Sequence, residues 1–225
     1  LVTSNPSPAY VARVSAVFAD NGAGVRGDLR AVVRAILLDA EARGDVPAAT
    51  VAKQREPVIR FAQFLRALGA RSRNGANPIH ELDSSDDGLG QSPLLAPTVF
   101  NFFLPAFKPA GQLERAGLAA PEFQITTETT VVASLNFFAN LFERKGYGWD
   151  QSRLELDYAP LMAMADNART LASHLDRLFF HGRMSIPTYE RLVRVIESVD
   201  PSRRERRVKS ALIITALSPD FVIQK

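Results

Sequence analysis

The stretch DSSDDG at residues 83 to 88 has the residue types of the first half of a calcium loop. Oxygen-bearing side chains fall at alternate positions, and Gly88 stands where such loops turn sharply. The acid that closes such a loop at position 12 would fall on Leu94, which has no oxygen ligand to offer. Two interpretations stay open, a solvated acidic turn and a non-standard calcium site completed by distant carboxylates. We predict the first, with no metal site and no cofactor.

The histidines do not have the spacing of a metal-binding pair. His174 and His181 are seven residues apart, so on one helix they would lie about 10.5 Å apart, too far to share one metal. His80 stands alone, and His181 before Gly182 favours a cation at a helix carboxyl end over a metal or general-base role. No hydrolase, metalloprotease or nucleotide-binding motif occurs in the sequence. Whether the chain is an enzyme therefore stays open.

A cluster of basic residues precedes the last long apolar stripe: Arg203, Arg204, Arg206, Arg207 and Lys209. Such a run is usually the solvent-exposed face of an amphipathic helix, and Glu205 interrupts the run here. The alternative is an anion-binding patch for phosphate, a sulfated glycan or lipid headgroups. Cations in the first turns of a helix oppose its dipole, so an anionic partner such as an acidic glycan is worth testing.

The aromatic run that follows the acidic stretch is the best functional candidate in the sequence. Its members are Phe100, Asn101, Phe102, Phe103 and Phe107, and prolines at 97 and 105 prevent a long regular helix. Consecutive bulky side chains must point in different directions. Three roles remain open: anchoring in the core, an interface with a partner chain, and a groove for a small ligand or glycan.

Composition sets the class of protein. The 225 residues are 46% hydrophobic and 23% charged with a net charge of +3, values typical of a globular chain. The basic residues are spread among acids, so the sequence argues against a nucleic-acid partner. No apolar run reaches the length of about 18 residues that a transmembrane helix needs. The absence of cysteine excludes disulfides, thiolate catalysis and cysteine-bound metals.

Apolar spacing near 3.6 residues and helix-capping residues predict an all-α fold. Helices are expected to start near Ser7-Pro8, Asp28, Glu56-Pro57, Pro121, Asp166, Pro187 and Asp200-Pro201. The helical periodicity is absent from about residue 70 to 112, between the helix expected at Glu56-Pro57 and the one expected at Pro121. We therefore predict one helical domain over residues 1–225, an irregular bundle of about six to eight helices with one long ordered loop.

Five stretches resemble the carboxyl-terminal half of the bacterial family called domain of unknown function eighteen hundred. They are NPSPAYVARVSAVFADNGAGVRGDLRAVVRAILLDAEAR (5–43), REPVIRFAQFLRAL (55–68), LGQSPLLAPTVFNFFLPAF (89–107), LAAPEFQI (118–125) and LSPDFVIQK (217–225). The resemblance implies a mostly helical protein, exported to the periplasm or the extracellular space, with no assigned catalytic residues. Since the chain starts at Leu1 without Met, we expect a fragment or processed product whose amino-terminal half is missing.

Two functions follow as hypotheses. The leading one is an exported module that binds a partner chain, either its own missing amino-terminal half or another exported protein. The alternative is half of a hydrolase acting on an extracellular polymer, with its site at the junction of the halves. Acidic and histidine side chains meeting in one cleft beside residues 83–107 would favour the hydrolase, and a continuous apolar face would favour the binding module.

Overall fold

The structure is a computed structural model, and it describes residues 2–44, 52–77, 79 and 81–224. Its helices are α1 (Pro8–Ala19), α2 (Leu29–Leu38), α3 (Ala40–Arg43), α4 (Pro57–Ala67), α5 (Gln112–Arg115), α6 (Glu128–Glu143), α7 (Ala159–Met162), α8 (Ala168–Leu175), α9 (Ile186–Glu197), α10 (Arg204–Leu217) and α11 (Pro219–Val222). Two 3-10 turns (Pro121–Ile125, Asp150–Ser152) and a π-helical turn (Asp176–Phe180) complete the helical part.

The strands are short and few in the described part of the chain. They are β1 (Lys53–Gln54), β2 (Gly146–Tyr147), β3 (Leu154–Glu155) and β4 (Ile223–Gln224). Strands β2 and β3 form an antiparallel hairpin in which Gly146 faces Glu155 and Tyr147 faces Leu154. The all-α prediction is confirmed, and so is the long loop, because the described residues between α4 and α5 contain no helix. In the same ranges, no helix is long and apolar enough to cross a membrane.

The first of two compact units contains residues 2–44, 52–54 and 103–124 within the described ranges. Helices α1 and α2 begin where their caps predict, because Ser7 and Asp28 accept hydrogen bonds from the backbone N–H of Tyr10 and Ala31. The buried Tyr10 phenol donates to the carbonyl of Ile36, at 2.5 Å, and so ties the two helices together. Within this unit, α1 and α2 therefore form a helical hairpin with a polar link between them.

The second unit contains residues 55–102 and 125–224 within the described ranges, and its core is rich in phenylalanine. The fully buried ring of Phe64 on α4 lies at its centre. Its centroid is 5.6 Å from that of Phe138, 4.9 Å from Phe142, 4.6 Å from Phe179 and 5.0 Å from Phe221. Aromatic pairs at these distances add to the stability gained by burial alone, so α4, α6, the π-helical turn and α11 are held around one ring.

Three predicted helix starts were wrong by one to seven residues. Asn167, not Asp166, caps α8, because its side chain accepts from the N–H of Thr170 at 2.9 Å. Helix α10 starts at Arg204, since Asp200 accepts from the N–H and hydroxyl of Ser202 and closes a separate turn. The 3-10 turn occupies the start expected at Pro121, and α6 begins seven positions later, capped by Thr127.

Candidate functional site

The long loop is fixed to the second unit at Gly90 and Gln91, here called the foot of the loop. Gln91 is buried, accepts from the N–H of Val58 at 3.2 Å and donates to the carboxylate of Glu56 at 2.6 Å. Because Glu56 is the N-cap residue of α4, this side chain joins the loop to the start of that helix. Gly90 has a φ of 65°, and a side chain there would come within 3.2 Å of a methyl of Thr130 on α6. The foot therefore needs glycine and packs directly against α6.

The residues that follow the foot form an exposed apolar surface, here called the apolar segment (residues 93–102). Leu94 and Val99 are almost fully exposed, at 103% and 94%, and Phe100 is 56% exposed. Residues 98–101 form a tight turn, in which Asn101 donates from its N–H to the carbonyl of Thr98 at 3.2 Å. This hydrogen bond closes a turn whose central side chains, Val99 and Phe100, are exposed.

Two residues of the apolar segment adopt left-handed backbone conformations without being glycine. Leu94 has a φ of 63° and Asn101 has a φ of 69°. Asparagine tolerates this region, but leucine is strained there by about 1–2 kcal/mol. The Leu94 side chain lies fully in water and gains no packing that would offset the strain, and its turn is closed by a hydrogen bond from the N–H of Leu95 to the carbonyl of Ser92 at 3.3 Å. Residues in this condition are concentrated at ligand-binding and switch regions.

The structure separates the predicted partner-binding residues into two groups. Phe100 and Asn101 are exposed and Phe102 is half-buried, all within the second unit. Phe103 and Phe107 are half-buried in the first unit, where the carbonyl of Phe107 accepts from the N–H of Ala120 at 2.8 Å. None of the four phenylalanines is among the buried core residues. Their role in binding stays a prediction.

Most of the predicted anion-binding arginines have partners within the protein. Arg204 pairs with Asp166 and Arg206 pairs with Glu143. Arg207 is only 4% exposed, and its guanidinium donates to backbone carbonyls. Arg203 is exposed, and its positive charge helps to lower the pKa of Asp200. An external anion at this cluster would have to compete with the acidic partners of Arg204 and Arg206.

The acidic stretch forms an exposed turn. The hydroxyl of Ser84 accepts from the N–H groups of Asp86 and Asp87 at 3.3 and 3.4 Å. A side chain on Gly88 would lie 2.7 Å from the carbonyl oxygen of Leu82, so close backbone packing accounts for this glycine. Over the described ranges, no group of three or more acidic or histidine residues could hold a metal ion.

The histidines lie apart from this turn. His181 is exposed and left-handed, with a φ of 57°, at the end of the π-helical turn. His174 lies on α8, which ends before that turn, so the two do not share one regular helix. His80 lies outside the described residues. The predicted position of His181 at a helix carboxyl end is confirmed.

A second candidate surface, here called the polar cleft, was not found from the sequence. It has a volume of about 480 Å³ and lies where the carboxyl end of α6 meets the β2–β3 hairpin. Its polar and aromatic lining includes Glu81, Asp87, Asn140, Arg144, Tyr147 and Trp149. Burial raises the pKa of the Tyr147 phenol, and the negative charges of Glu81 and Asp87 raise it further. The only tryptophan of the chain, flanked by Gly148, was the available signal.

Arg60 is a buried arginine that differs from Arg207 because one of its nitrogen atoms is unsatisfied within the described ranges. Arg60 on α4 is 6% exposed, and its guanidinium lies over the ring of Phe138, 5.7 Å from the centroid. Its Nε has no hydrogen-bond partner in the described part of the chain. Burial, helped by the charge of Arg55, lowers the pKa of Arg60 to about 10. This cation therefore costs stability in the fold as described.

A family model described as protein of unknown function (DUF1800) matches residues 1–223. No curated protein and no solved structure matches the chain significantly.

Proposed function

The chain belongs to the family described as protein of unknown function (DUF1800), and from this premise we propose that it is a protein-binding module whose partner docks on the apolar segment. One observation carries the proposal: Leu94, Val99 and Phe100 are exposed together on a loop that is anchored at its foot. Adjacent exposed apolar side chains of this size are typical of interaction sites.

The charge distribution favours a protein partner over a lipid surface. Residues 93–107 contain no charged side chain, and the first one after them is Lys108. Peripheral membrane segments usually combine apolar groups with clustered lysine and arginine, which anionic lipids attract. The prolines at 93, 97 and 105 also limit the backbone N–H groups available for pairing with another strand. A partner with an apolar pocket that receives Phe100 fits this chemistry best.

The identity of the partner and the location of the protein are finer parts of the same proposal. The partner is either an amino-terminal half of the same protein or another exported protein, and the family resemblance supports an exported bacterial location. Cell fractionation of the native host tests the location. Recovery in the periplasmic or extracellular fraction is expected, and recovery in the cytoplasm alone would refute export.

Photo-crosslinking tests the docking itself. A crosslinking amino acid at position 99 in the native host should react at one defined site, which lies either in an amino-terminal half of the same protein or on one other protein. The same group at position 186 is the control, because Ile186 is an equally apolar residue, 79% exposed, on α9. Equal capture from both positions, capture of lipid, or capture of a second copy of this chain would each overturn the proposal.

Affinity measurements with the purified partner and variants of this chain then show how much each side chain contributes to binding. Removing the Phe100 ring should weaken binding by about 5- to 13-fold, since burying the exposed half of a phenylalanine is worth about 1–1.5 kcal/mol. Leu94→Gly should also weaken binding, yet keep or raise the stability of the free chain, because it relieves a left-handed leucine. Ile186→Ser should leave the affinity unchanged. Unchanged affinity in both Phe100→Ala and Leu94→Gly would contradict docking at this segment.

A second candidate function is a hydrolase half, favoured by the presence of Glu81 and Asp87 in one cleft. Most glycosidases cleave the glycosidic bond with two carboxyl groups, one acting as general acid and the other as base or nucleophile. Release of reducing ends from polysaccharides, lost in both Glu81→Gln and Asp87→Asn, would support it. Release that persists in both variants would exclude this cleft as the site.

A further inference from the structure

We propose that the polar cleft binds a sugar ring of a neutral saccharide, with the ring stacked on Trp149. This inference requires neither the docking of a protein at the apolar segment nor hydrolysis. It rests on the aromatic surface, the balance of charge and the local backbone of the cleft.

Trp149 provides an aromatic surface within a polar setting. The side chain is 58% exposed although tryptophan is normally well buried, and it lines the cleft together with Tyr147. An indole presents a large flat apolar face together with a single N–H donor. The C–H face of a sugar ring is also flat and apolar, while its rim carries hydroxyl groups. Stacking the ring would cover the indole and leave the hydroxyls for the polar lining.

The polar lining suits hydroxyl groups better than ions. Two carboxylates (Glu81, Asp87) and two guanidinium groups (Arg144, Arg153) line the cleft, so their formal charges cancel. A net-neutral lining gives no overall attraction to an anion or a cation. Each sugar hydroxyl both donates and accepts, so it can bond to a carboxylate and a guanidinium at the same time. Asn140 offers a further donor and acceptor in one side chain.

The hairpin that carries Trp149 has little freedom to take another backbone path. A side chain on Gly146 would lie 2.1 Å from the carbonyl oxygen of Leu154, so only glycine fits there. Arg153 donates from its guanidinium to the backbone carbonyl of Arg144, which joins the hairpin to the end of α6. A cleft held in this way is formed before a ligand arrives, and its volume lies within the range of about 300–1,000 Å³ for small-molecule sites.

Because the chain contains one tryptophan, its fluorescence reports on this cleft alone. The probes are cellotetraose, chitotetraose and maltotetraose as neutral saccharides, a galacturonate tetramer as an acidic one, and the dipeptide Lys-Glu as a zwitterion. At least one neutral tetrasaccharide should give a saturable blue shift and protect the indole from iodide quenching. Asp87→Asn and Arg144→Gln should each weaken that binding by at least tenfold.

Asp83→Asn is the matched control, since Asp83 is an exposed acid of the same turn that does not line the cleft. It should bind like the unmodified chain, and circular dichroism should show that all variants keep their helix content. The inference is overturned if no neutral saccharide shifts the fluorescence, if only the acidic or zwitterionic probe does, or if Asp83→Asn weakens binding as much as Asp87→Asn. None of these results bears on crosslinking at position 99, so the two proposals fail independently.

Discussion

Replacing Arg207 with methionine should destabilise the second unit strongly, although four of the six residues from 202 to 207 are arginine. Its Nε donates to the carbonyl of Val199 at 2.8 Å, and its Nη1 donates to those of Ala165 at 2.9 Å and Asp166 at 3.2 Å. The side chain thus fixes the residues before α8 and after α9 to α10. Methionine keeps most of the apolar stem but leaves these carbonyls without their donor.

The magnitude follows from the two shorter hydrogen bonds. Each involves a charged donor and is worth about 1.5–3 kcal/mol, and the methionine thioether recovers part of that through packing. The free energy of unfolding should therefore fall by about 3–5 kcal/mol, measured by urea unfolding followed through Trp149 fluorescence. Arg203→Met, at an exposed position of the same cluster, should change it by less than about 0.5 kcal/mol. A loss below about 1 kcal/mol for Arg207→Met would refute the structural role and return Arg207 to the anion-binding hypothesis.

Three further predictions concern other charged groups. Millimolar calcium should leave the melting temperature unchanged, because Leu94 has no oxygen ligand where the loop would close. For comparison, a calcium concentration 100 times the dissociation constant of a site would add about 2.7 kcal/mol to the free energy of unfolding. A clear rise in melting temperature that Asp87→Ala abolishes would contradict the prediction. Two hydrogen bonds from Arg13 hold the pKa of Asp39 at about 2, below its unfolded value of 3.8, so the stabilisation is complete above about pH 4 and is lost as the pH falls toward 2. Arg13→Gln should accordingly move acid unfolding, followed by circular dichroism, to higher pH, and an unchanged midpoint would count against this pair. Arg60→Met should raise the melting temperature, since it removes a buried cation whose Nε has no partner in the described residues, and a fall would contradict this reasoning.

The helical class and several helix starts could be read from the sequence because their causes are local. Ser7 and Asp28 cap helices through hydrogen bonds to residues three positions away, which sequence spacing reveals directly. The role of Arg207 could not be read in this way. Its acceptors are carbonyls 8, 41 and 42 residues earlier in the chain. From the sequence alone, the basic run therefore has the pattern of a solvent-exposed helix face.

The two candidate sites also differ in whether their residues are neighbours in the sequence. The apolar segment could be found because its side chains are neighbours in sequence and its prolines are visible. The direction in which Phe100 points depends on the turn at Thr98, which the sequence leaves open. The polar cleft joins Glu81 and Asp87 to Trp149, which lies 68 and 62 residues later in the chain, so only the packing of α6 and the hairpin reveals it.

The ring of Phe221 has a consequence for the order of events during synthesis. It is fully buried and contacts Phe64, and the carbonyl of the next residue accepts from the N–H of Arg55 at 2.7 Å. At about 5–20 residues per second, roughly 8 to 30 s separate the addition of these two phenylalanines to the growing chain. During that interval the hydrophobic centre of the second unit lacks one of its rings, so this unit reaches its native packing only after almost all of it has been translated. Until Phe221 is added, apolar surface around Phe64 stays uncovered, and exposed surface of this kind is what chaperones bind.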